Sequence, residues 1–210
     1  MNILEKVYIK YNNKNILENI NIKFNDKNII HLIGPNGVGK TSICFAIMDK
    51  NIFSGINHVE QDKIGFATDD LKIPNDLTIK DIFNYIGINN IEECFLKYFE
   101  KNLINRKINQ LSSGQQKMVN LAIVFNKKNN LIILDEITNN LDEKNKSKIL
   151  DLIKELSKNK KIIYITHNLN EVIELGGQKY FYHDKTFIEK NIDGAREIKE
   201  LYLNMYGELK

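Results

Sequence analysis

Gly34-Pro35-Asn36-Gly37-Val38-Gly39-Lys40-Thr41 is a G-x-x-x-x-G-K-T stretch, preceded by Ile29-Ile30-His31-Leu32-Ile33 and followed by a run to Met48 without Gly or Pro. The run before it is short and mostly apolar, which suits a buried parallel strand, and the run after it can continue as a helix. A glycine-rich turn between such a strand and helix lets backbone N–H groups approach phosphate oxygens with no Cβ in the way. The helix N-terminus adds its partial positive charge. The residues from Gly34 through Lys40 to Ser42 are therefore expected to cradle a nucleoside triphosphate. Lys40 would reach the β and γ phosphates, and Thr41 would offer its hydroxyl to Mg²⁺.

Leu131-Ile132-Ile133-Leu134 is uniformly apolar and flanked by Asn129-Asn130 and by Asp135-Glu136, as expected of a strand covered on both faces. Ligands of open parallel sheets bind beyond the carboxyl ends of the strands, so Asp135 and Glu136 should emerge beside the phosphate loop. Asp135 is expected to hold Mg²⁺, directly or through water, and Glu136 to orient and partly deprotonate the attacking water. A second apolar strand, Ile162-Ile163-Tyr164-Ile165, ends in Thr166-His167. His167 is expected to donate to the γ phosphate and to fix the water and Glu136 in line.

Leu111-Ser112-Ser113-Gly114-Gln115-Gln116 precedes a pattern in which Met118, Ala122 and Phe125 recur at near-helical spacing, and Ser112 or Ser113 can cap that helix. Together with the glycine-rich loop, the acidic pair and the histidine in this order, the segment resembles the signature of the ATP-binding cassette (ABC) family. The resemblance runs from about Tyr11 to His167. It implies a P-loop NTPase core of the α/β class with a mostly parallel sheet, an N-terminal antiparallel β subdomain and a small inserted helical subdomain. It implies ATP and Mg²⁺ as cofactors, and two nucleotide-binding domains closing head to tail as a homo- or heterodimer. Ser112, Gly114 and Gln115 would then act on the ATP of the partner subunit. Asn139-Asn140-Leu141-Asp142 looks like the family's D-loop, whose aspartate crosses the same interface. Tyr11 stands where the family stacks an aromatic on adenine, although an ordinary strand tyrosine explains it too.

Three positions depart from the family pattern. Asp69 falls where a glutamine is usual, and it can still offer an oxygen to the metal while adding negative charge near phosphates. Ser113 stands where glycine is most frequent, at a cost of about 1 kcal/mol if that residue needs a positive φ. Ile137 replaces the proline that usually follows the catalytic glutamate.

The 210 residues, 42% of them hydrophobic, suffice for one core, and the net charge of +3 is too mild to imply nucleic acid. The whole of 1–210 is expected to be one nucleotide-binding domain, with the helical subdomain at about 70–115 carrying Leu77, Ile79, Ile82, Phe83, Phe95, Tyr98 and Phe99. Residues 3–33 read as short antiparallel strands turning at Asn12-Asn13 and Asn25-Asp26. Leu141 to Leu156 reads as an amphipathic helix with Ile149, Leu152, Ile153 and Leu156 on one face. Cys44 and Cys94 show neither pairing nor metal spacing, and Cys44 is expected to be a small buried hydrophobe. No leader and no membrane-spanning run is evident. The expectation is a cytoplasmic ATPase, held on the inner face of the cell membrane by an integral permease subunit, in an exporter. A soluble member working on DNA or the ribosome, and a cassette that binds ATP without turnover, are the alternatives.

Overall fold

The computed structural model describes residues 1–12, 14–49, 53–69, 73–87, 101–125 and 129–207. The chain runs β1 (Asn2–Tyr11), β2 (Lys14–Lys23), β3 (Ile29–Ile33), α1 (Lys40–Met48), β4 (Phe53–Asn57), β5 (Ile64–Thr68), α2 (Ile79–Tyr85), α3 (Ser113–Val124), β6 (Leu131–Asp135), α4 (Glu143–Leu156), β7 (Lys161–Ile165), α5 (Leu169–Leu175), β8 (Gln178–His183), β9 (Thr186–Glu189) and α6 (Ala195–Tyr206). Two sheets organise it. One is antiparallel in the order β2-β1-β4; the other has six strands in the order β5-β6-β7-β3-β8-β9, parallel except for β9. The expected α/β class, with its mostly parallel sheet and N-terminal antiparallel sheet, is what forms. Phe95, Tyr98 and Phe99 of the expected helical insert, and Cys94, lie outside the described residues.

The uniform apolar runs are explained by what covers the large sheet. Ile132 and Leu134 face a core built with α2, α3 and α4, whereas Leu131 and Ile133 face a second core built with α1 and the antiparallel sheet. Alternate side chains of one strand thus enter different hydrophobic layers, so no polar position is left in the period. Ile149, Leu152, Ile153 and Leu156 are buried on one face of α4, as the spacing predicts. That helix begins at Glu143 because Asp142 caps it, its Oδ1 accepting from the Asn145 N–H at 2.9 Å.

The N-terminal strands differ from the sequence reading. β1 and β2 have ten residues each, paired across repeated register shifts, with Lys6 at φ 48° and Asn19 at φ 50°. Asn25-Asp26 joins two sheets and is not a hairpin turn, since β3 pairs with β7 and β8. β4 was not foreseen. Its pattern is half-buried only at its ends, so it carries no alternation to detect.

His31 is fully buried in β3, where its Nε2 lies 2.6 Å from the Gly176 carbonyl, its Nδ1 has no partner, and its ring meets Tyr164 edge-on at 5.8 Å. Burial lowers its pKa to about 4, with the Gly176 carbonyl opposing and the Lys179 charge assisting. An imidazole of depressed pKa stabilises the fold above its unfolded value, near 6.5, and that contribution is lost as pH falls through the folded value. Urea unfolding between pH 7 and 4 should therefore show a loss of about 3 kcal/mol attributable to His31. His31→Leu should flatten that slope; an unchanged slope would assign the acid sensitivity to other groups.

Candidate functional site

Register brings the site together. Across the large sheet Thr68 pairs with Asp135, Asp135 with Ile165, and Ile165 with Leu32, so four strands end at nearly one level. The residues that follow them, Asp69, Glu136, Thr166-His167 and Gly34, leave the sheet along one edge. A cavity of about 310 Å³ opens there, lined by Asn36, Gly37, Gly39, Lys40, Thr41, Ser42, Asp135 and Glu136.

The loop between β3 and α1 turns on Gly37 at φ 81° and Gly39 at φ 100°, conformations that side chains rarely adopt. Lys40 is almost fully buried, and its ammonium donates to the carbonyls of Gly34 at 2.7 Å and Pro35 at 2.8 Å. Thr41 donates its hydroxyl to Asp135 Oδ2 at 2.8 Å. Desolvation pushes the Asp135 carboxyl above the usual range, the Thr41 hydroxyl opposes this, Glu136 adds to it and Lys40 opposes it. A cation between these groups would relieve that burden, and two oxygen donors suit a hard metal such as Mg²⁺.

Glu136 stands at φ 55°, a strained conformation for a residue with a Cβ. The N–H of Glu136 donates to the Ile165 carbonyl at 2.9 Å, and its Oε2 accepts from Asn139 Nδ2 at 2.5 Å. His167 Nδ1 is 3.5 Å from Glu136 Oε1 and has no aligned hydrogen-bond partner among the described residues. Ile137, in the place of the usual proline, is fully buried in the core.

The signature segment is reached by a different route. Ser112 Oγ accepts from the Gln115 N–H at 3.3 Å and Gln115 Oε1 accepts from the Ser112 N–H at 2.9 Å, a capping box that opens α3. Gln115 thus already has a structural task. Ser113 is the first helical residue and is absent from the positive-φ positions, so the anticipated strain does not arise. A Cβ on Gly114 would come within 2.8 Å of Asn145, whose amide holds Asp142 Oδ2 at 2.6 Å. A side chain at Gly114 would have to displace the Asn145 amide in the first turn of α4. None of Ser112, Gly114, Gln115 or Tyr11 lines the cavity, and Tyr11 is 69% exposed at the end of β1. Asp69 is not a lining residue either. It forms an ion pair with Lys117 of α3 through Oδ1, and its Oδ2 accepts from Asn140 Nδ2 at 3.0 Å, so each of its oxygens has a protein donor.

Sequence reading did not foresee Glu171, at the start of α5. It is 3% exposed and accepts from Thr138 Oγ1 at 2.9 Å, Tyr164 OH at 2.7 Å, Thr166 Oγ1 at 2.8 Å and Asn168 Nδ2 at 3.3 Å, with Lys146 Nζ at 3.9 Å. This carboxylate ties the turn after Glu136 to the residue before His167. The local signal for it is a helix start, with Asn168 as N-cap and Glu171 three residues on, and that pattern points to capping and not to a buried acceptor. Glu171→Ala should cost about 3 kcal/mol in urea unfolding, because three buried hydroxyls lose a charged acceptor. A loss below about 0.5 kcal/mol would mean that water replaces the carboxylate without penalty.

With this geometry in view, the likeness to known proteins has a physical basis. The sequence pattern of the family described as ABC transporter matches residues 17–139. The lantibiotic transport ATP-binding protein SrtF of Streptococcus pyogenes is 29% identical over 192 residues, covering 82% of this chain and 83% of its own. The zinc import ATP-binding protein ZnuC of Wolbachia pipientis is 29% identical over 185 residues, covering 81% and 74%. Among solved structures, the dimeric post-hydrolysis state of the cassette MJ0796 of Methanocaldococcus jannaschii, bound to ADP and Pi, superposes with a TM-score of 0.70 at 26% identity, covering 92% of this chain and all of that one. Motif order, strand register and relatedness converge: this chain belongs to the ABC transporter family and is an ATP-binding, ATP-hydrolysing cassette.

Proposed function

We propose that this cassette powers an exporter whose membrane-spanning part is a separate polypeptide, and that it acts as one half of a head-to-tail pair. The observation that carries the catalytic reading is the Thr41–Asp135 contact at 2.8 Å, with Glu136 beside it on the same cavity. The backbone N–H groups of the Gly34 to Ser42 loop bind phosphate oxygens, and Lys40 turns from the Gly34 and Pro35 carbonyls to the β and γ phosphates. Thr41 and Asp135 would hold Mg²⁺, which would supply positive charge against the phosphates. Glu136 orients water and takes its proton, while His167 keeps the carboxylate and the γ phosphate in line. Ser112 and Gly114, at the start of α3, cover the nucleotide of the partner subunit, and Tyr11 offers an exposed ring to adenine.

The similarity to the probable peptide export ATP-binding protein YydI of Bacillus subtilis, 26% identical over 191 residues, supports the exporter reading, and the similarity to the zinc import ATP-binding protein ZnuC makes import the alternative. No helix among the described residues is long and apolar enough to cross a membrane. We place the chain at the cytoplasmic face of the cell membrane through its permease.

Three measurements test this. Lys40→Ala should abolish ATP hydrolysis, and an unchanged rate would reject the site. Glu136→Gln should slow hydrolysis by about 100-fold or more while retaining ATP. That trapped variant, used as bait with ATP in detergent-solubilised membranes, should recover an integral membrane protein. Recovery of only ribosomes or DNA would reject the transporter role.

A further inference from the structure

Among the buried charges that the catalytic reading leaves unused is Lys117, one turn into α3 and 7% exposed. A lysine side chain out of water needs protein partners in its place. Its ammonium donates to Asp69 Oδ1 and to the backbone carbonyl of Asn139. Asn140 Nδ2 reaches the other Asp69 oxygen at 3.0 Å. Asn139 in turn holds Glu136 twice, through its amide on Oε2 at 2.5 Å and through its N–H on the Glu136 carbonyl at 3.1 Å. One ammonium therefore ties the end of β5 and helix α3 to the turn that aims the strained Glu136.

We propose that Lys117 is a positioning residue for Glu136, with Asp69 as its counter-charge, linking the signature end of α3 to the base of the same chain. The inference rests on the reading of Glu136 as that base. Lys117 lies four positions after Ser113, one helical turn, so a displacement of the α3 N-terminus against a partner's nucleotide is carried directly to its ammonium. The Asn139 carbonyl follows, and the Glu136 carboxylate with it. Asp69 in this arrangement serves the protein charge of Lys117 and not the metal, which gives the departure from glutamine a purpose.

The test compares Lys117→Met, Lys117→Arg, Asp69→Asn and the Asp69→Asn/Lys117→Met pair, each checked by thermal unfolding. Lys117→Met should lower kcat about tenfold while KM for ATP and the Kd of a fluorescent ATP analogue stay within about twofold. Lys117→Arg, which keeps the charge, should recover much of the rate. Asp69→Asn added to Lys117→Met should change kcat little further, because the two act as one unit. In Asp69→Asn the Mg²⁺ concentration that half-saturates nucleotide binding should be unaltered. The proposal is overturned if Lys117→Met turns over at the wild-type rate, if it weakens ATP binding as much as kcat, if the double variant shows fully additive losses, or if Asp69→Asn raises the Mg²⁺ requirement. Glu136→Gln run alongside separates the two claims. If it hydrolyses ATP normally, the reading of Glu136 falls; if it is inactive and Lys117→Met is normal, only the positioning role falls.

Discussion

The contact between the Thr41 hydroxyl and Asp135 Oδ2 closes the site across residues 94 positions apart. It can form only because β7 separates β3 from β6 and all three strands reach the same level, with Leu32, Ile165 and Asp135 in one row. A two-residue slip in either parallel pairing would shift a loop by about 6.5 Å along the strand, well beyond hydrogen-bond reach. Register in turn is set by burial. The alternate residues of β6 and β7 enter two different apolar cores, so a slip by one residue would exchange their faces. The phosphate site thus depends on hydrophobic layers that contain no chemistry of their own.

Around that contact the chain keeps its reactive groups in place with buried polar networks. Glu171 gathers hydroxyls from Thr138, Tyr164 and Thr166, and Lys117 gathers Asp69 and the Asn139 carbonyl. Glu136, at φ 55°, is tied to the second of these through Asn139. At the centres of the two networks Glu171 and Lys117 are buried, and a partner lost there is not easily replaced by water. Ile137 occupies the place of the usual proline between them in sequence and is buried in the apolar core. Its side chain anchors the turn by burial where a ring would have fixed φ.

Some local features were legible because they are local. Ser112 caps α3, the α4 face carries the predicted apolar residues, and Cys44 is buried. β4 was not, since it joins the sheet by its backbone and leaves its side chains half or fully exposed. The N-terminal strands were read as short because their register shifts break the alternation, although the backbone remains extended through them.

What the sequence by itself determined is the chemistry on offer: a glycine-rich loop ending in Lys40-Thr41, an acidic pair after an apolar run, a histidine after another, and an order of motifs that marks the ABC family. Those signals depend on spacing along the chain, and spacing survives without a structure. What only the tertiary structure decided is which partners each charge receives. Asp69 could be placed at a strand end from the sequence, yet its pairing with Lys117, 48 positions away, is created by α3 packing on β5. Gln115 and Asp142 looked like interface residues and prove to cap helices of their own chain as well. Ion pairs and caps are decided within a few ångströms, and such distances are set by packing between segments that no local pattern connects.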